Sequence, residues 1–205
     1  MLLAGLTGSI ATGKSTVSSI FRELGAFIVD ADVAAREVVL PGMRAFEEIV
    51  RVFGREILSN KGEIDRERLG SIIFNDAAYR AKLEEIVHPE VMKAIDVEVA
   101  SIREISSDAV IILDVPLLIE TGMHEGLGEV VVVYCPEMLQ IMRLMERDGI
   151  SREEALARVR AQLSIEDKKR YASLIIDNSL SQDNTRRQVE SAFERFREKA
   201  GRLIP

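Results

Sequence analysis

The chain has 205 residues, 47% hydrophobic and 30% charged, with a net charge of −7. That suits one globular domain with room for an inserted segment, and the acidic total argues against a nucleic-acid binder. A single cysteine, Cys135, excludes an intrachain disulfide framework, and no apolar run approaches the ~20 residues of a membrane span. Met1 to Leu6 is too short for a signal peptide, so the expected compartment is the cytoplasm, with no membrane partner.

In chain order, short apolar runs alternate with amphipathic segments, the pattern of a parallel sheet covered by helices. Leu2 to Thr7 predicts a buried strand, Gly8 to Gly13 a loop, Lys14 to Leu24 a helix and Phe27 to Asp30 a second strand. The middle is helical: Met43 to Phe53, Asp65 to Phe74 and Asp76 to His88 carry apolar residues three and four apart. Pro89 suits the first turn of a separate helix running to about Ser106. Val110 to Asp114 and Glu129 to Cys135 read as strands three and four, and a helix follows Pro136 to about Asp148. Ser151 with Glu154, and Ser164 with Asp167, predict capping boxes. Leu174 to Asp177 is the fifth strand, and a helix runs from about Asn184 to Ala200. This divides the chain into a core (about 1–40, 108–136 and 172–205), a helical insertion (about 41–107) and a lid (about 137–171).

Gly8-Ser9-Ile10-Ala11-Thr12-Gly13-Lys14-Ser15 satisfies G-x-x-x-x-G-K-[ST] in full, between a predicted strand and a predicted helix. Its glycines let the backbone approach an anion, and its amides and the helix start point at phosphates. Lys14 can reach the β- and γ-phosphates of ATP, the Ser15 hydroxyl can ligate Mg²⁺, and Thr16 reaches the α-phosphate. A chance match in a chain this long is on the order of 1%. A guanine-reading switch would need Asn-Lys-x-Asp, but the only Asn-Lys pair, Asn60-Lys61, continues Gly62-Glu63.

A phosphoryl-transfer enzyme also needs a carboxylate for the acceptor, a metal partner and cations on the moving group. Asp30 and Asp32 follow strand two, where strand ends meet ligand in open α/β sheets; either one accepts the acceptor's proton or caps the next helix. Asp114 ends strand three as a magnesium-holding carboxylate would, although a turn-forming role before Pro116 is the alternative. Arg143 and Arg147 share one helix face, available for phosphoryl charge or for pairing with Glu146 and Asp148. Cys135, at the end of an apolar run, reads as a small buried hydrophobe.

These residues resemble the dephospho-CoA kinase family over nearly the whole chain. The resemblance includes Gly5-Leu6-Thr7-Gly8-Ser9-Ile10, Asp30-Ala31-Asp32 with Ala35-Arg36, Pro41-Gly42, Phe53-Gly54 and Ile64-Asp65-Arg66. It continues through Leu69, Ile73-Phe74, His88-Pro89, Asp114-Val115-Pro116-Leu117-Leu118-Ile119-Glu120, Arg147-Asp148, Arg158 to Gln162 and Ile176-Asp177-Asn178. It implies an α/β P-loop three-layer fold with a five-stranded parallel sheet ordered 2-3-1-4-5, a helical CoA-binding insertion and a helical lid. It also implies transfer of phosphate from ATP·Mg²⁺ to the ribose 3′-hydroxyl of dephospho-CoA, by a monomer or small homo-oligomer. The family's base falls on Asp32, and its substrate-side residues on Thr7, Arg36, Phe74, His88, Leu117, Leu118 and Glu120. Its lid arginine falls on Arg143, and Asn178 falls near the ATP adenine. The loop carries Ser9 and Ala11-Thr12 where the family more often has a glycine and Gly-Ser. The phosphate loop is shared with many kinases, so another small-molecule kinase, of the shikimate, gluconate or nucleoside-monophosphate type, is the alternative reading.

Overall fold

The computed structural model describes residues 1–202, so 203–205 of the expected core lie outside the described residues. Five parallel strands form one sheet in the order β2-β3-β1-β4-β5. They are β1 (Leu2–Gly8), β2 (Phe27–Asp30), β3 (Val110–Asp114), β4 (Glu129–Tyr134) and β5 (Leu174–Asp177). β1 and β3 are buried along almost their whole length, and β4 along all but its last residue, which is why they read as continuous apolar runs, β-branched in β3 and β4, instead of alternating ones. The chain separates into two compact units, residues 1–29 with 101–205, and residues 30–100.

In the first unit, α1 (Lys14–Glu23) and α9 (Gln182–Arg202) supply much of the core against the sheet. Phe21 and Phe196 stack there with centroids 6.2 Å apart, beside Leu6, Ile112, Val131 and Ile176. The register pairs Leu6 with Asp114 and Gly8 with Val133. Asp114 therefore emerges at the same end of the sheet as the loop that follows β1. Two further helices, α6 (Glu137–Asp148) and α7 (Arg152–Arg160), pack through Ile141, Leu144, Ala155 and Val159, with Ile10 and Ala11 of the loop against them. A short helix, α8 (Ile165–Lys168), leads through a 3₁₀ turn (Lys169–Tyr171) to β5.

The second unit is helical. Asp30 caps α2 (Ala31–Glu37), accepting from the amides of Asp32 and Val33, and Asp65 caps α4 (Arg66–Asn75) in the same way. α3 (Arg44–Phe53) and a 3₁₀ turn (Arg55–Ile57) complete a core of Ile49, Phe53, Ile57 and Leu69.

Two local expectations change. The segment expected as two helices meeting at Pro89 is one helix, α5 (Ala77–Ile105), with the proline inside it. A buried internal proline costs about 3 kcal/mol or more through a lost hydrogen bond and a ring clash. Pro89 and Glu85, whose carbonyl loses its donor, are both exposed, so water can serve that carbonyl. Ser151 and Glu154 form the full reciprocal capping box, but Ser164 and Asp167 form half of one. The Ser164 hydroxyl accepts from the Asp167 amide and donates to the Asp167 carboxylate at 2.6 Å. The aspartate side chain, a methylene shorter than glutamate, is spent on the hydroxyl instead of on the cap amide.

Candidate functional site

The loop between β1 and α1 wraps on itself: the Thr12 amide and hydroxyl both donate to the Ser9 carbonyl, at 3.2 and 2.8 Å. Gly13 sits at φ +88°, and a Cβ there would lie 2.0 Å from the Asn178 side-chain nitrogen. Both facts demand glycine. The next two residues, Lys14 and Ser15, open α1 with amides available to an anion, while the Thr16 amide donates to the Gly13 carbonyl at 3.1 Å. Ala11 takes φ +62°, the one positive-φ non-glycine residue among the described residues.

A cleft of about 690 Å³ opens over this loop. Its lining contains Gly8, Ser9, Ile10, Ala11, Gly13, Lys14, Ser15 and Thr16 of the loop, with Pro116, Arg143, Arg147, Gln162 and Asn178. Of the sequence-predicted nucleotide residues, Thr12 alone is off the lining; it is buried and braces the loop.

The cations are arranged differently from one another. Lys14 pairs with Asp114, whose carboxylate is buried at 4% exposure. Arg143 donates to the Asn178 carbonyl at 2.9 Å, which holds its guanidinium at the cleft. Arg147 makes a two-point contact with Asp148, at 2.8 and 3.2 Å, and Arg158 joins the same carboxylate at 2.8 Å. Hydrogen bonding from Arg147, then the charges of both arginines, hold Asp148 below the usual aspartate range. Arg147 thus lines the cleft while occupied by the carboxylate named as its alternative partner.

Asn178 is committed to the loop. Its side-chain amide donates to the Thr12 carbonyl at 2.8 Å, and its oxygen accepts from the Thr185 hydroxyl at 2.8 Å. Cys135 is buried beneath the loop, its sulfur 3.9 Å from the Ala11 carbonyl, and burial pushes its thiol up from the ordinary value. Ser15 and Asp114 offer a hydroxyl and a carboxylate, hard oxygen donors of the kind magnesium takes alongside phosphate oxygens. The residues present therefore fit that ion.

The expected acceptor-side residues divide. Asp32 and Arg36 stand four apart on α2, within the second unit, and both line a cavity of about 560 Å³ walled by Val39, Ile49, Leu69 and Val87. With Asp30 spent as the helix cap, Asp32 is the carboxylate of the pair left for chemistry. Phe74, 80% exposed, and His88, also exposed, lie outside that lining. In the first unit Leu117 is exposed, and the other three residues expected to touch substrate make contacts within the protein. Leu118 is fully buried, and a Cβ on Gly5 would fall 2.6 Å from it. Thr7 is buried and donates to the Pro116 carbonyl at 3.0 Å. Glu120 accepts from the Leu163 amide at 3.2 Å and pairs with Lys168 at 3.0 Å. The physical reason is shared: the chain turns back after β3, and these side chains hold that turn in place.

Sequence reasoning passed over Gln162 and Lys168 as individual site residues. The Gln162 side-chain oxygen accepts from the Ile10 amide at 2.7 Å, and Lys168 is wholly buried. Within Asp167-Lys168-Lys169-Arg170 a lysine looks like one of a solvated charge run, and only the three-dimensional pairing singles it out.

Similarity to known proteins agrees with this geometry. The dephospho-CoA kinase family profile matches residues 2–184. The chain is 45% identical over 197 residues to the dephospho-CoA kinase of Carboxydothermus hydrogenoformans, covering 95% of this chain and 94% of that one. It is 46% identical over 195 residues to that of Geobacillus kaustophilus, covering 95% and 96%. Among solved structures, dephospho-CoA kinase from Campylobacter jejuni superposes with a TM-score of 0.74 at 31% identity, over 96% of this chain and 98% of that one. TT1252 from Thermus thermophilus superposes at 0.81 with 32% identity, over 95% and 97%. With the phosphate loop complete and the likeness extending through nearly all of both chains, the protein belongs to the dephospho-CoA kinase family.

Proposed function

We propose that this chain transfers the γ-phosphate of ATP to the 3′-hydroxyl of the ribose of dephospho-CoA, giving coenzyme A and ADP, the last step of CoA biosynthesis. The observation that carries the proposal is the intact phosphate loop, braced by Thr12 and Asn178, in a chain 45% identical to a dephospho-CoA kinase. ATP lies on Gly8 to Thr16, its phosphates held by loop amides and Lys14. The Ser15 hydroxyl, and Asp114 directly or through water, would hold Mg²⁺, which would supply charge neutralisation at the phosphates.

Asp32 orients the ribose hydroxyl and accepts its proton as the oxygen bonds to the γ-phosphorus. The bond from that phosphorus to the β–γ bridging oxygen breaks, and its electron pair leaves with ADP. Lys14 and Arg143 stabilise the charge on the transferring group, where a preorganised donor is worth about 3 to 4 kcal/mol. Arg147 supports Arg143 from the same helix. Arg36 and Leu117, with Phe74 and His88 on the helices of the second unit, contact the acceptor, while Thr7, Leu118 and Glu120 shape its surroundings from behind. The α6–α8 segment acts as the lid that excludes water, the competing acceptor. No helix among the described residues is long and apolar enough to cross a membrane. Water-soluble substrates and a single free cysteine support a cytoplasmic enzyme, acting as a monomer or small homo-oligomer.

A coupled ADP-release assay over a panel of acceptors tests the reading. Rapid turnover is expected with dephospho-CoA, and turnover only with shikimate, gluconate or a nucleoside monophosphate would overturn it. Asp32→Asn is expected to keep ATP affinity and lower turnover at least about a hundredfold, the usual worth of base catalysis; a near-normal rate would remove Asp32 from that role.

A further inference from the structure

Lys168 is 0% exposed, and its ammonium donates to the Pro116 carbonyl at 2.9 Å and to Glu120 Oε1 at 3.0 Å. Burying a lysine costs several kcal/mol, and a well-packed apolar residue of similar volume is often as stable or more so. Packing alone therefore gives no reason for a cation at this position; what it holds does.

Pro116 stands two residues after Asp114 and lines the phosphate cleft. Its carbonyl receives two donors, Lys168 from α8 and the Thr7 hydroxyl from β1 at 3.0 Å. Glu120, the other partner of Lys168, also accepts from the Leu163 amide. Leu163 and its neighbour continue the connection: the Ser9 hydroxyl donates to the Leu163 carbonyl at 3.3 Å, and Gln162 receives the Ile10 amide. A closed set of contacts thus joins the turn after β3, the 162–168 segment and the first half of the phosphate loop, with one buried ammonium at its centre. Burial, and then the charge of Lys14, pull Lys168 below the ordinary lysine range against the opposing pull of Glu120.

We propose that Lys168 is a positioning residue for phosphoryl transfer, fixing through Pro116 and Glu120 the cleft wall next to Asp114 and tying the 162–168 segment to the phosphate loop. The proposal rests on the reading of this cleft as the nucleotide site of a kinase.

Lys168→Met removes the charge while keeping the unbranched stem. It is expected to fold with an unchanged or higher melting temperature and to lose at least about 30-fold in kcat, below the hundredfold that a 1 Å misplacement can cost. The ATP dissociation constant, read with a fluorescent analogue, should rise about fivefold. Thr7→Val removes the other donor to Pro116, so its kcat loss and that of Lys168→Met should be less than multiplicative in the double variant. A folded Lys168→Met protein with kcat and ATP affinity both within threefold of the parent overturns the proposal. Should Lys168→Met not fold, Glu120→Gln decides the matter, since it removes the charge partner but keeps an acceptor for Leu163; kcat within threefold there also overturns it. Failure of the kinase reading looks different: the parent protein itself shows no dephospho-CoA turnover, while the shift in ATP affinity survives.

Discussion

The two compact units are stabilised by different chemistry. Residues 1–29 with 101–205 combine a large apolar core with buried polar and charged side chains: Thr7, Thr12, Asp114, Glu129, Lys168, Asn178 and Thr185. Five of these seven, all but Thr12 and Thr185, are tied through their side chains to partners distant in sequence. In residues 30–100 one helical cluster buries Ile49, Phe53, Ile57 and Leu69, rimmed by half-buried aliphatics such as Val39, Ile64, Leu83 and Val87. Many of its ion pairs, such as Arg51 with Glu48 and Lys93 with Glu90, lie on the surface, where each is worth under about 1 kcal/mol. A phosphate site needs its dipoles fixed before the charge arrives, and the first unit is built that way. The second has few fixed polar groups and a cavity bordered by aliphatic side chains, which suits shape-dependent recognition of a larger organic acceptor.

The largest expected effect lies in the first unit. Lys14→Ala should cost about 3 to 4 kcal/mol of transition-state stabilisation, roughly 10² to 10³ in kcat. Steady-state kinetics with dephospho-CoA measure it. Unchanged kinetics would refute the assignment of the cleft and with it the preorganised half of the contrast.

Glu129 tests the buried polar network without touching the cleft. It is buried at the start of β4, where it accepts from Ser173 at 2.6 Å and pairs with Arg195 and Lys199 of α9. Desolvation raises its proton affinity, but the hydrogen bonds from Lys199 and Ser173 and both positive charges outweigh that and hold it below the ordinary 4.5. A carboxyl with a depressed folded value contributes stability that is complete above its unfolded value and lost as pH falls through the folded one. The protein should therefore lose stability below about pH 4.5. Glu129→Gln should cost about 2 kcal/mol at neutral pH, less than the 3 to 5 of a fully buried pair because both cations are partly exposed and can be rehydrated. Denaturant titrations at pH 7 and pH 4 give both numbers; an equal acid sensitivity in parent and variant would assign it to other groups.

In the second unit the matching test is apolar. Leu69 belongs to its core and also lines the cavity that carries Asp32 and Arg36. Leu69→Ala should cost about 2 kcal/mol, the low end for a buried leucine because its neighbours are half-buried and can relax. The KM for dephospho-CoA should rise while ATP affinity stays the same. An equal change in both would show that the units do not divide the substrates as proposed.

What the sequence made legible follows the same division. The phosphate loop, the strands Phe27–Asp30, Val110–Asp114 and Leu174–Asp177, and the cap at Ser151 are encoded by neighbours, so residue type and spacing revealed them. Lys168 and Gln162 act on partners 52 and 152 residues away, and nothing local marks them. The continuity of α5 through Pro89 depended on exposure at one helical turn, which periodicity does not report. For Arg147 the sequence left two roles open, phosphoryl charge or pairing with Glu146 and Asp148, and the side chains show the Asp148 pairing; the tie of Asn178 to the Thr12 carbonyl became visible only with them in place.

The smallest effect concerns the loop itself. Ala11 holds φ +62°, where an L-residue with a Cβ is strained by roughly 1 to 2 kcal/mol and glycine is not. The position is one where the resembling family more often has glycine, so relief of strain would favour Ala11→Gly. Two terms oppose it. The methyl group packs with Ile10 against Ile141, Leu144 and Val159, and one buried methyl is worth about 0.8 kcal/mol. Glycine also adds about 0.4 to 1 kcal/mol of unfolded-chain entropy to be lost on folding. The sum lies within about 1 kcal/mol of zero, and because the loop amides keep their directions, ATP affinity should not change. A melting curve and a nucleotide titration measure both. A large loss of stability would show that the packing of α6 and α7 against the loop, more than its backbone geometry, holds the phosphate site in shape.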